Sequence, residues 1–303
     1  MTPLAGIGGG MAAVADRVQD LDPRCALLAV ALQLATLGLR ALAWRGVLAA
    51  AYPEKRLPVF PLACAYTAGV ALNAFLPARG GEAAKVALAR TQIPGSSLPT
   101  IAGSLSVIML LDALLSATLV AVLWASGSLP QLPPLPSLPG GALVLLLLGA
   151  GVLSTVLIGL AARGLAAALR RTLASAAHGL VILRAPGRLL RTVLPFQLAA
   201  WGARVGVVYF VLASFRIDAG LEAAILLTVL SGAALPVPGG AGSQQVFATY
   251  ALQGAISTAA SVSFSISMQL GVTLVNTVVG LVGAMLLFRT HRPLAALRAA
   301  RER

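Results

Sequence analysis

Five apolar runs, each long enough to cross a bilayer, constrain this chain more than any other feature: residues 26–50, 98–125, 141–162, 194–214 and 258–288. About 20 consecutive apolar residues let a helix cross a hydrocarbon core of roughly 30 Å. Composition agrees. The chain is 58% hydrophobic and 10% charged, where soluble domains carry about 25% charged residues. So few charged side chains do not cover a water-facing surface of 303 residues, so lipid is the main solvent. In lipid, backbone groups must be satisfied within the segment, which for runs of this length means helices. The expectation is an all-α polytopic membrane protein.

Two more apolar stretches, 57–93 and 221–253, are interrupted by Pro and Gly. Helix 221–235 would be only about 22 Å long at 1.5 Å per residue, so it favours a re-entrant hairpin over a full span. A pair of full spans in either stretch gives the same sidedness and stays open. The N-terminal run Met1–Ala15 is too short to span and lacks the basic start of a signal peptide.

The net charge of +13 flanks the apolar runs and makes no continuous basic face, which argues against nucleic acid. It sets direction instead, because basic residues collect on the cytoplasmic side. Arg40, Arg45, Lys55 and Arg56 follow or end the first span. Arg163, Arg170, Arg171, Arg184, Arg188 and Arg191 fill the connection 163–193, which reads as a basic amphipathic linker on an anionic leaflet. The tail 289–303 is basic as well, whereas the Pro-rich segment 127–140 has no charge and reads as external. The expected path has segment 1–25 outside, the C-terminus in the cytoplasm, and the two interrupted segments opening on opposite faces. The host would be the plasma or inner membrane. Trp44 and Trp201 read as interfacial anchors, and His178 and His291 as solvent-facing. Cys25 and Cys64 have no zinc-like spacing and read as small buried hydrophobes. No metal or cofactor is expected.

Each interrupted segment carries the same phrase at its tip. Leu76-Pro77-Ala78-Arg79-Gly80-Gly81 recurs as Leu235-Pro236-Val237-Pro238-Gly239-Gly240, 159 residues later. With the opposite sidedness, this reads as an inverted repeat within a single transmembrane domain 26–288, with halves at about 26–125 and 194–288. Corresponding Gly/Pro-broken segments are the sequence pointer to a transporter's central site. Proline ends the helical ladder, glycine permits the reversal, and the freed amides at the next helix start favour an anion.

On these residues the chain resembles the flippase-like transmembrane domain of lysylphosphatidylglycerol synthases and their stand-alone relatives. The family's first phrase appears as Asn73, Leu76, Pro77, Arg79, Gly81, Glu82 and Lys85, with one extra Gly at position 80 or 81. Its second appears as Pro238, Gly239, Gly240, Gly242 and Gln245, with Gln245 standing where the family has Glu. Trp44-Arg45 matches the pair that ends the preceding span, and Asp112 the lone acid of the following one. Ile108-Met109 replaces a Glu-Arg pair, and the usual first span is missing from the pattern. The resemblance covers about residues 26–288 and implies a lipid-translocating role.

Arg79, Glu82 and Lys85 share one face of a helix starting after Gly81. They form either a cationic cradle for a lipid phosphate or a local salt bridge on a positive-inside loop. Asn73 and Gln245 with the Gly239–Gly242 turn complete the expected substrate site. Asp112 lies mid-span, where a carboxylate costs a few kcal/mol and faces the bundle interior. Pairing with Arg204 is expected, as a gating or coupling element or as a permanent internal pair. Gln244, Gln269 and Asn276 line a cavity or bridge helices.

The function expected from these residues is a flippase or lipid-translocating carrier for an amphiphile with a phosphate headgroup: a phospholipid, a modified phospholipid or a polyprenyl-phosphate-linked sugar. No nucleotide-binding phrase is present, so the energy would come from an ion gradient, the lipid gradient or a partner. The alternatives are a non-transporting subunit that scaffolds an enzyme of envelope-lipid synthesis, and a small intramembrane enzyme using Glu82 or Asp112. The expected partners are membrane lipids, anionic or phosphate-bearing, with an envelope-lipid enzyme as a possible second.

Overall fold

The computed structural model describes residues 21–76, 80–129, 177–232 and 243–288. Among them every regular element is helical. The elements are α1 Pro23–Ala51, α2 Val59–Leu72, α3 Gly80–Gln92, α4 Leu98–Ala125, α5 Pro186–Thr192, α6 Leu194–Ser214, α7 Gly220–Gly232, α8 Ser243–Ala251 and α9 Thr258–Phe288, with a 3-10 turn Val181–Arg184 before α5. Helices α1, α4, α6 and α9 are long and apolar enough to cross a membrane. The chain is an all-helical, multi-pass membrane protein. The fifth expected span, 141–162, lies outside the described residues. So do segment 1–20, the start of the linker and the tail 289–303.

Local chemistry sets the helix starts. Asp22 accepts the Arg24 N–H at 2.8 Å ahead of Pro23, and Ser97 accepts the Thr100 N–H at 3.2 Å ahead of Pro99. Both fit the preference for a short polar N-cap followed by proline. The interrupted segments become the helix pairs α2–α3 and α7–α8, whose members have 14, 13, 13 and 9 residues. At 1.5 Å per residue these are about 14–21 Å long, short of a core of roughly 30 Å. Helices α2 and α3 close on each other at Gly69 and Gly81. A Cβ on Gly69 would overlap Gly81 O and the Lys85 side chain, and one on Gly81 would overlap Gly69 O and Asn73.

Helices α1–α4, the first unit, and α6–α9, the second, each run long, short, short, long. Their first helices, α1 and α6, run antiparallel: the Asp22 N–H donates to Ser214 O at 3.0 Å at one end, and Gly46 packs against the Thr192 carbonyl at the other. The last helix of each unit crosses to the first hairpin arm of the other, α9 onto α2 and α4 onto α7. Helix α9 crosses α2 antiparallel, with Gly280 against Ala71 and Thr67 and Gly283 against Thr67 and Cys64. One hydrophobic core sits in the first unit around Trp44, Leu62 and Ile108. A second lies among α6, α7 and α8, with Leu123 and Phe264 contributed by α4 and α9, and a smaller third joins α2, α3 and α9 at Ala65, Leu88 and Ala284.

The described part of the linker, 177–193, does not form one amphipathic helix on a surface. Ile182 and Val193 are fully buried in the first core, Gly179 lies against the Thr100–Ser104 backbone, and the His178 ring Nε2 meets Ala51 O at 2.9 Å. Proline at 186 restarts the chain as a short helix, and burying Ile182 and Val193 outweighs a regular surface helix. Arg184, Arg188 and Arg191 remain exposed.

Candidate functional site

The first unit holds two ion pairs joined through one phenol. On α3, Lys85 Nζ donates to Glu82 Oε1 at 2.7 Å, one helical turn away. The Gly69–Gly81 approach places the hairpin turn beside α3, so Asn73 Nδ2 also donates to Glu82 Oε1, at 3.1 Å. Lys85 is only 4% exposed, and its ammonium lies 4.4 Å from the Tyr66 ring centroid. A cation over an aromatic face gains most where water is excluded.

Tyr66 links this pair to the second. Its hydroxyl accepts from Arg40 Nε at 2.9 Å, and the Arg40 guanidinium pairs with Asp112 through both terminal nitrogens. Asp112 Oδ1 also accepts from Gln197 Nε2 and, at 2.9 Å, from Trp201 Nε1. Arginine and the indole are donors only, so the site is built around a carboxylate acceptor. Gln197 is fully buried, and its Oε1 has no hydrogen-bond partner among the described residues. Two cations and two carboxylates leave the network with no net charge.

Three expectations change here. Asp112 pairs with Arg40, and Arg204 lies against Trp201, its guanidinium carbon 5.7 Å from the ring centroid. The reason is the antiparallel packing of α1 on α4, fixed by Trp44 Nε1 donating to Ser104 Oγ at 2.9 Å, which brings Arg40 opposite Asp112. Arg40 is therefore an interior residue, although the positive-inside pattern counted it among the charges marking the cytoplasmic end of a span. Trp44 and Trp201, expected at the interface, are 0% and 6% exposed; Trp44 donates its N–H to buried Ser104 and Trp201 to half-buried Asp112.

The structure brings together Asn73, Glu82 and Lys85, and joins them to Asp112 through Arg40 and Tyr66. Arg79, Gly239, Gly240 and Gly242 lie outside the described residues. In the second unit, Gln245 Nε2 lies 3.4 Å from Gln269 Oε1, joining α8 to α9, and Gln33 Nε2 donates to Asn276 Oδ1 at 2.8 Å, joining α1 to α9. A cavity of about 260 Å³ lined by Tyr209, Leu212, Arg216 and Asp218 opens at the α6–α7 turn, away from the ion pairs. Arg40, Tyr66 and Gln197 were missed from sequence. A guanidinium inside an apolar run, several residues before Arg45, was the available signal for the first.

No curated protein and no solved structure matches the chain. The family described as the lysylphosphatidylglycerol synthase TM region matches residues 6–291, nearly the whole chain. The chain belongs to that family, which ties it to membrane-lipid function.

Proposed function

We propose that this protein is a lipid-translocating carrier, a flippase rather than an enzyme, for an amphiphile with a phosphate headgroup. The observation that carries the reading is the pair of cations inside a bundle of membrane-spanning helices, Arg40 at the Tyr66 hydroxyl and Lys85 over its ring. Charge in such a place is costly and marks a substrate or ion path. Each cation already has a carboxylate partner, so an arriving phosphate replaces one anion with another and the cation is never left bare. Arginine suits that exchange because its planar donors match phosphate oxygens.

In this reading Asn73, Arg79, Glu82 and Lys85 contact the headgroup at the first hairpin. Gly239, Gly240 and Gly242 offer backbone amides at the second, beside Gln245. Asp112 and Arg204 act in gating, on either side of Trp201. Both hairpins are re-entrant, and the acyl chains stay in lipid while the units rock about the site. The protein sits in the plasma or inner membrane with its N-terminus outside. Its partners are anionic or phosphate-bearing lipids, and an enzyme of envelope-lipid synthesis is a candidate second partner.

The test is leaflet exchange of fluorescent phospholipids in vesicles containing the purified protein. Wild type should expose outer and inner lipid alike to an impermeant quencher. Arg40→Gln and Asp112→Asn should slow exchange about tenfold, equivalent to roughly 1.4 kcal/mol of lost headgroup interaction. Equal rates in all three proteins and in empty vesicles would remove the carrier reading and leave the scaffolding role.

A further inference from the structure

The two units meet through a repeated polar contact. A glutamine on the first helix of each unit donates to a short carboxyl or carboxamide side chain on the last helix of the other: Gln197 of α6 to Asp112 of α4, and Gln33 of α1 to Asn276 of α9. The registers differ, since Asn276 lies about one turn further along α9 than Asp112 along α4. The pairing of helices is nonetheless the one the two-unit arrangement exchanges. One contact ends on a charged oxygen and the other on a neutral isostere.

Their surroundings differ in the same sense. Asp112 is held by Arg40, and Gln197 turns its N–H to the carboxylate while its own buried oxygen goes unpaired among the described residues. An orphaned buried acceptor is unfavourable, so the charge on Asp112 is what orients the amide. Gln33 and Asn276 hydrogen-bond no charged group among the described residues. An anion therefore has a guanidinium to compete for at the first contact and none at the second. Arg40 is reachable, with 19% of its side chain exposed.

We propose that these contacts are two latches between the units, and that a lipid phosphate opens only the charged one, by drawing Arg40 away from Asp112. Without Arg40, Asp112 keeps two neutral donors and faces a second anion, and the repulsion parts α4 from α6. The Gln33–Asn276 latch stays closed meanwhile. This rests on the carrier reading but is measured without transport.

The measurement is pulsed electron-spin distance spectroscopy on the full chain in lipid nanodiscs, with Cys25→Ala and Cys64→Ala as background. One nitroxide pair replaces Leu114 and Leu198, on α4 and α6; the other replaces Leu34 and Leu274, on α1 and α9. All four positions are exposed and outside the network. Dihexanoyl phosphatidic acid is the probe, and dihexanoylglycerol, which lacks the phosphate, the control.

The phosphate lipid should lengthen the α4–α6 distance and leave the α1–α9 distance unchanged, and the control should move neither. Arg40→Gln should abolish the response. The proposal is overturned if both distances lengthen together, if neither moves, if the control acts like the probe, or if Arg40→Gln responds as wild type does. Should Arg40→Gln fail to fold, the contrast between the two pairs in the otherwise native protein decides alone. A one-sided response in a protein that exchanges no lipid keeps the latches and removes the carrier; exchange without that response does the reverse.

Discussion

At Asp112, donors from two helices converge on one carboxylate, and the partners differ in kind. Arg40 supplies the compensating charge, while Gln197 and Trp201 supply direction from α6. Exposed ion pairs contribute about 0–1 kcal/mol, whereas removing one partner of a buried pair costs about 3–5 kcal/mol. With side chains 19% and 24% exposed, this pair belongs between those limits. Arg40→Gln alone should cost about 2 kcal/mol, because it strands the carboxylate. Asp112→Asn alone should cost about as much, because it strands the guanidinium. The double variant Arg40→Gln/Asp112→Asn should fall clearly short of the sum, since it leaves neither charge behind. Thermal unfolding of the four proteins in one detergent measures the cycle, and strict additivity would mean that the two side chains do not act as a pair.

At the scale of the helix, the first hairpin depends on backbone contact where side chains would not fit. Gly81→Ala drives a methyl into Gly69 O and the Asn73 carboxamide. Overpacking of this kind costs about 1–3 kcal/mol, and it should separate Asn73 from Glu82. Gly202 is the counterpart: it lies within α6 with open space where a Cβ would go. Gly202→Ala should therefore stabilise the protein by about 0.5–1 kcal/mol. Opposite shifts in unfolding temperature are the expected result, and a neutral Gly81→Ala would mean that the arms are not held at this crossing. These elements were also the most legible in the sequence. Uninterrupted apolar runs return as α1, α4, α6 and α9 within a few residues, because length and hydropathy alone decide a span. Two short helices stand in each interrupted segment, and the prolines at the tips lie outside the described residues. The Asp112 partner was not legible in the same way, because nothing in the sequence says which face of α1 meets α4. That is set by side-chain packing such as the Trp44–Ser104 bond, far apart in the chain. The two tryptophans were misread for the same reason: an indole near a span end suits an interface or a buried acceptor equally, and only the neighbouring helix decides.

At the scale of the whole molecule, the antiparallel α1–α6 contact and the exchange of last helices between units bind the two halves by their corresponding surfaces. Such an arrangement needs each hairpin to enter and leave on one side, because the helices on either side of it run in opposite directions through the bundle. Two full spans would satisfy the same sidedness, so the discriminating residue is one at the turn. Phe75 is well suited: it is 67% exposed in the turn three residues past α2, two residues after Asn73 and outside the ion pairs. With α2 and α3 only about 20 Å long, a re-entrant turn stops inside a core of roughly 30 Å. In sealed, oriented vesicles of protein lacking Cys25 and Cys64, Arg56→Cys and Gln92→Cys should react with a bulky membrane-impermeant maleimide from one and the same face. Phe75→Cys should resist that reagent from the other face until the membrane is dissolved in detergent. Ready labelling of Phe75→Cys from the face opposite Arg56 would make α2 and α3 a pair of full crossings, carry Asn73 out into water, and detach Glu82 and Lys85 from any site at mid-membrane depth.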